Sequence, residues 1–165
     1  MLSAPEPLAS HHQVEAFNCG ASSLDDWLKR RAAQNQTSGA SRTFVACDEG
    51  RVAGYYALGS SAVSAAATLG RFRSNMPGLI PVIVLARLAV ARSHQGQHLG
   101  RALFQDAARR VIYAAEAIGI RGLLVHALSE EAEVFYLHLG LNPSPLDPMT
   151  LMVTLADLRA ALPKL

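Results

Sequence analysis

Apolar residues recur along this chain with two distinct periods, and the switches between them mark out its elements. In "TFVACDEGRVAGYYALGSSAV" strand-like runs flank a Glu49-Gly50 pair, which predicts a hairpin turning there. The apolar run "VIVLARLAV" predicts a strand following the loop-like stretch "ATLGRFRSNMPGLIP". Leu99, Ala102, Leu103, Ala107, Val111, Ala114, Ala115 and Ile118 share one face at helical spacing, predicting a helix from Leu99 to about Ile118 that Gly119 stops. "GLLVHAL" predicts a short buried strand. Ser129 can cap the helix "EEAEVFYLHL", which ends at Gly140. "TLMVTL" predicts a last strand, and "ADLRAAL" a short terminal helix.

Near the front, residues 23–36 predict one further helix. Ser23 and Asp26 stand at capping-box spacing, and acids lead bases as the helix dipole prefers. A helix followed by β-β-β-α-β-α-β describes an α/β fold, a mixed sheet covered by helices. With 165 residues the chain has room for one proper core, so residues 1–165 are read as a single domain.

Half the residues are hydrophobic and 17% are charged, a globular balance rather than a disordered one. "MLSAPEPLASHHQVE" lacks the basic start and apolar core of a signal peptide. "GLIPVIVLARLAVA", interrupted by Pro81 and Arg87, is too short for a bilayer span. Cys19 and Cys47 show no metal-type spacing and fit a reducing compartment. A cytoplasmic protein without membrane association is expected.

The net charge of +2 conceals a strong segregation. Between Trp27 and Gln105 the only acids are Asp48 and Glu49, against Lys29, Arg30, Arg31, Arg42, Arg51, Arg71, Arg73, Arg87, Arg92 and Arg101. Such a field attracts a polyanion, whether a nucleotide cofactor, an RNA backbone or an acidic partner; solvated arginines that merely cluster are the bland alternative.

The strand at 82–90 delivers "ARSHQGQHLGRALF" into a helix N-terminus, whose first amides have no partner within the helix and suit a phosphate. Gly96 and Gly100 let the backbone approach closely, Arg92 and Arg101 add charge, and no carboxylate opposes them. No Gly-Lys-Ser/Thr follows, which excludes a Walker loop, and no Gly-x-Gly opens the turn as a dinucleotide fingerprint would. Glycines serving only a tight turn remain the other reading. His94 and His98 flank the loop without a third ligand, so no metal site is expected.

"QGQHLG" is similar to the Gln/Arg-x-x-Gly-x-Gly/Ala loop with which the GNAT superfamily of N-acetyltransferases binds the pyrophosphate of acetyl-CoA. Gln95 takes the first position and Gly100 the last, while His98 stands where glycine is usual. The likeness extends through "FNCGASSLDDWLKRRAAQNQTSGASRTFVA", "VAGYYALGS", "IPVIVLARLAV" and "FYLHLGL", which together resemble the GNAT toxins of bacterial type II toxin–antitoxin pairs.

That resemblance implies a GNAT fold with a mixed, mostly antiparallel sheet. It also implies acetyl-CoA as cofactor and acetylation of the α-amino group of aminoacyl-tRNA, which blocks translation. The implied partners are a ribbon-helix-helix antitoxin, through which alone DNA is reached, and a second copy of the chain in a homodimer.

The resemblance also assigns residues. Gln95, Gly96, Gln97, His98, Leu99, Gly100 and Arg101 hold the pyrophosphate, Leu88, Ala89 and Val90 pair with pantetheine, and Ser129 touches the cofactor or simply caps its helix. Tyr136 becomes the acid that protonates the departing thiolate, whereas spacing alone favours a core tyrosine whose hydroxyl finds a backbone partner. Arg87 either reaches solvent or meets RNA, and Lys29, Arg30, Arg31, Arg42, Arg71 and Arg73 are candidates for contacts along the tRNA backbone.

No acid or histidine stands out as a dedicated base, which mildly favours an α-amine over a lysine, since an α-amine is partly neutral near pH 7.7–8.0. His126, Ser129 and Glu130 adjoin in sequence but lack a nucleophile elbow, so a hydrolase is dropped. Two rivals stay open: a GNAT specificity for a small amine or a protein N-terminus, and a catalytically weak, antitoxin-bound regulatory module.

Overall fold

The computed structural model describes residues 1–164. In chain order the elements are β1 (Glu6–Pro7), α1 (Ser22–Arg30), α2 (Ala32–Ser38), β2 (Arg42–Asp48), β3 (Arg51–Ser64), α3 (Gly70–Arg73), β4 (Leu79–Val90) and α4 (Leu99–Ala114). They continue with β5 (Gly122–His126), α5 (Glu130–His138), β6 (Asn142–Pro143), β7 (Thr150–Thr154) and α6 (Leu155–Ala161). Hydrogen bonds link the strands in the order β1-β2-β3-β4-β5-β7-β6. Pairing is antiparallel for β1–β2, β2–β3, β5–β7 and β6–β7, and parallel for β4–β5. This is the mixed, mostly antiparallel sheet flanked by helices that the sequence predicts.

The chain forms two compact units, and β3, β4 and α4 each run through both. The first comprises Met1–Gly59 and Ala86–Ala107. Its core gathers Phe17, Leu28, Val45, Val52, Tyr55 and Ala89. The hairpin turns at Glu49 (φ 51°) and Gly50 (φ 81°), two left-handed residues as a type I′ turn demands. Gly54 lies under α4: a Cβ there would stand 2.9 Å from Leu103 Cδ1 and 3.3 Å from the Ala89 carbonyl.

The second unit comprises Ser60–Leu85 and the chain from Ala108 onward, with a core of Phe72, Ile80, Val82, Leu124 and Met152. Arg121 anchors the segment before β4 by donating from Nε to the Phe72 carbonyl (2.7 Å) and from Nη2 to the Arg71 carbonyl (2.7 Å).

Three expectations need correction. Residues 23–36 form two helices, broken at Arg31 (φ −120°). Neither Ser23 nor Asp26 caps the first, whose N-cap is Ala21 without a side-chain bond; the nearby buried acid Asp25 instead accepts from the Cys19 amide (2.9 Å). The stretch at 67–81 is not merely loop, since it holds α3. α4 stops at Ala114 rather than Ile118, because its buried face (Leu99, Leu103, Ala107, Val111) ends there; Ile118 is exposed. The cap at Ser129 is as predicted, its Oγ accepting from the Ala132 amide (3.1 Å), and Gly140 (φ 98°) lies just beyond α5.

Candidate active site

In the first unit, β4 hands the chain to the glycine loop. Its parallel pairing with β5 ends at Leu85↔Val125, and β4 runs on to Val90, five residues past that pair. Leu88, Ala89 and Val90 lie on this extension. Ala91 then donates to the Ala53 carbonyl (2.8 Å), and Arg92–His94 make a single 3-10 turn.

The exposed Gln95 side chain is tied to the backbone on either side of it: Nε2 donates to the carbonyls of Val90 (2.9 Å) and Cys19 (2.9 Å). It therefore fixes where the loop begins, and the exposed Gly96, Gln97 and His98 project beyond it. Gly96 has φ 76° and open space around its missing Cβ. His98 has φ 64°, a left-handed conformation that glycine adopts freely and that costs a side chain about 1 kcal/mol. The departure from the usual glycine thus keeps the loop's shape at an energetic cost, and its carbonyl still accepts from Ala102 in the first turn of α4. Replacing His98 with glycine is expected to stabilise the fold by about 0.5–1 kcal/mol. Chemical denaturation checks this, and an unchanged or lower midpoint would contradict it.

Beyond His98, Leu99 and Gly100 open α4 at the end where a helix leaves amides without internal partners, and no acid lies in its first turn. Loop and helix end therefore fit a diphosphate.

A latch unforeseen from the sequence holds this loop. The Arg92 amide donates to the Asn18 carbonyl (2.8 Å), and the Arg92 guanidinium lies against Gly20, where a Cβ would stand 3.0 Å from Nε. Gly20 also has φ 96°, so "FNCG" supplies glycine for two separate reasons. The signal was present in that block, but its meaning needed the loop it touches. His94 Nε2 meets Asp48 Oδ2 (3.1 Å), and this ring, with the N-terminal ammonium at 3.0 Å from Oδ1, holds the Asp48 carboxyl below its ordinary range.

Arg87 lies on the extension of β4 past its pairing with β5. Half-buried, its guanidinium sits over the Trp27 ring at 5.2 Å and Nη1 donates to the Ala86 carbonyl (2.8 Å). Trp27 in turn stacks on Tyr55 (6.0 Å, 8°). Lys29, Arg30 and Arg31 are exposed at the end of α1, and Arg42 Nη1 donates to the Gln36 carbonyl (2.6 Å).

In the second unit, Tyr136 on α5 is buried at 6% exposure, edge-on to Phe135 (5.1 Å). Burial alone pushes its phenol well above the ordinary tyrosine value, so it stays protonated at neutral pH. Ser129 Oγ is occupied as the α5 cap, which uses an acceptor site and leaves the hydroxyl proton able to donate. Arg71 pairs with Asp157 through Nε–Oδ2 (2.8 Å) and Nη2–Oδ1 (2.6 Å), and Arg73 Nη1 donates to the Thr68 carbonyl (2.7 Å); both arginines are exposed. Among the described residues, no helix is long and apolar enough to cross a membrane.

Residues 39–141 match the acetyltransferase (GNAT) domain family. Over 158 residues the chain is 49% identical to the tRNA-acetylating toxin of Mycobacterium tuberculosis (strain ATCC 25618 / H37Rv), covering 96% of this chain and 95% of that one. Its structure is similar to that of AtaT complexed with acetyl-methionyl-tRNAfMet (TM-score 0.89, 30% identity, 97% and 98% of the two chains). It is also similar to a tyrosine-to-phenylalanine AtaT toxin bound to the C-terminus of the antitoxin AtaR and acetyl-CoA (TM-score 0.84, 30% identity, 96% of each chain).

Proposed function

The chain belongs to the GNAT acetyltransferase family, and from that premise we propose that it transfers an acetyl group from acetyl-CoA to the α-amino group of aminoacyl-tRNA and so blocks translation. The observation that carries this reading is the near-full-length likeness to a tRNA-acetylating toxin, together with the intact loop geometry at His98 and α4. The catalytic domain spans residues 1–165 and works in the cytoplasm. Its partners are charged tRNA, a second copy of the chain, and a ribbon-helix-helix antitoxin that neutralises it and supplies the only link to DNA.

Acetyl-CoA is consumed as the acetyl donor: the amine's lone pair forms the C–N bond while the C–S pair departs on sulfur. The amides of Gln95–Arg101 hold the diphosphate against the positive end of α4, and Gln95 keeps that loop in register with β4. Backbone groups of Leu88, Ala89 and Val90 hold pantetheine and steady the developing oxyanion. The Ser129 hydroxyl donates to the cofactor.

Tyr136 gives its proton to the sulfur. A phenolate left behind in that buried setting would be costly, so the phenol takes back the proton that the new amide nitrogen sheds. The two proton movements are thereby coupled, and the tyrosine ends as it began.

Lys29, Arg30, Arg31, Arg42, Arg71, Arg73 and Arg87 contact the tRNA backbone, which binds without reading sequence and responds steeply to salt. Reversing Arg71 and Arg73 to glutamate should lower kcat/KM for charged tRNA by at least about tenfold and flatten its dependence on salt by roughly one phosphate contact per residue. Acetyl-CoA affinity should be unchanged. Turnover equal to the unaltered protein at every salt concentration would refute the RNA contacts and favour a small amine acceptor.

A further inference from the structure

β5 ends at His126, one residue beyond the last pair that joins it to β4. There the second unit contains a cavity of about 240 Å3, walled by Val63, Val82, Val84, Leu124 and Leu146, and His126 lines it together with Thr150 and Asp147. The cavity is smaller than the roughly 300–1,000 Å3 of a pocket that takes a whole ligand, so it suits one end of a larger substrate.

The three polar residues form a chain of hydrogen bonds whose direction can be assigned. Thr150 Oγ1 lies 3.0 Å from Asp147 Oδ2, and a carboxylate can only accept, so the threonine hydroxyl spends its single proton there. Asp147 is itself fixed, its Oδ1 accepting from the Met149 amide (3.0 Å). His126 Nδ1 lies 2.9 Å from the same Thr150 Oγ1, which now has only lone pairs to offer. Nδ1 must therefore carry the hydrogen. In the neutral ring Nε2 is then the bare nitrogen, and it has no hydrogen-bond partner among the described residues.

The relay holds an exposed imidazole in its proton-accepting tautomer at the rim of an apolar cavity, an arrangement that positions a general base rather than merely filling space. Thr150 is buried within β7, so the relay is held by the sheet rather than by a mobile chain end.

We infer that His126 is a further catalytic residue: its Nε2 takes the proton from the α-ammonium of the acceptor, whose aminoacyl end enters this cavity. The inference rests on the acceptor class proposed above. In the step, one N–H bond of the ammonium breaks and its electron pair stays on nitrogen as the nucleophilic lone pair. An Nε2–H bond forms, and the imidazolium later releases the proton to water. Thr150 and Asp147 touch no substrate atom and are positioning residues.

Three measurements test this together. Long-range proton–nitrogen NMR of the intact protein should show His126 protonated at Nδ1, and Thr150→Val should abolish that preference; an Nε2–H tautomer in the unaltered protein overturns the inference. His126→Ala should bind acetyl-CoA as before, transfer acetyl to charged tRNA about a hundredfold more slowly, and recover at least tenfold of that loss when imidazole is added. Turnover near that of the unaltered protein, or a loss that imidazole leaves untouched, overturns it. Thr150→Ser keeps the relay and should keep the rate, whereas Thr150→Val should lose about tenfold; equal rates for the two again overturn it, and this arm survives if His126→Ala fails to fold. An unaltered protein inactive on charged tRNA would sink the functional reading, whereas an active one indifferent to these changes sinks this inference alone.

Discussion

Tyr136→Phe is expected to bind acetyl-CoA with unchanged affinity and to transfer acetyl at least about a hundredfold more slowly. The substitution removes one hydroxyl and keeps the ring, whose edge-on contact with Phe135 and burial hold its place. The backbone around it is equally secure: the Tyr136 carbonyl accepts from the amides of Leu139 (3.1 Å) and Leu141 (3.2 Å) at the end of α5. What disappears is a donor that burial keeps protonated throughout the neutral range. The loss should therefore fall on kcat, with the dissociation constant for acetyl-CoA measured by calorimetry left alone. A variant that turns over at close to the normal rate would show that the thiolate leaves without this phenol.

The second large effect concerns stability. Gly122→Ala should destabilise the protein by about 3 kcal/mol or more, lowering Tm by roughly 6–12 °C. A Cβ at this position would stand 2.1 Å from the Val153 carbonyl oxygen, 2.9 Å from Phe72 Cε2 and 3.1 Å from Thr154 Cα. Two of those atoms are backbone of β7, whose Thr154 is the register partner of Gly122, so relief requires prising apart the β5–β7 ladder. Gly119 is the control: nothing lies within 4 Å of its missing Cβ, and alanine there should leave Tm almost unchanged. Thermal unfolding followed by circular dichroism checks both, and equal melting temperatures would contradict the argument.

Much of this architecture is legible in the sequence because pattern and local chemistry agree. Glu49-Gly50 announces its turn through the residues that tolerate positive φ, and Ser129 announces its helix through a side chain able to cap it. The failures have a common cause in tertiary competition. Asp25, three residues into α1, looks like a dipole-pairing acid but is drawn to the Cys19 amide, and α1 gives way to α2 at Arg31 although no proline or glycine marks the break. β1 and β6 are two-residue strands, too short to carry any period.

The candidate site divides in the same way. The glycine loop is readable because small residues just before a helix start stand out in the sequence, whereas the anchoring of the Gln95 side chain depends on the carbonyls of Cys19 and Val90. His126 offered no signal of its own. Its chemistry is set by Thr150 and Asp147, more than twenty positions later, which only the pairing of β5 with β7 brings alongside.

The central claim, that this chain acetylates the α-amine of aminoacyl-tRNA, is tested most directly by supplying labelled acetyl-CoA with charged tRNA, with uncharged tRNA, and with charged tRNA whose α-amine has been formylated. Label should enter only the first, and mild alkali should release it as an N-acetylated amino acid. Label entering the other two pools equally, or no label entering charged tRNA while a free amine is acetylated, would contradict the account.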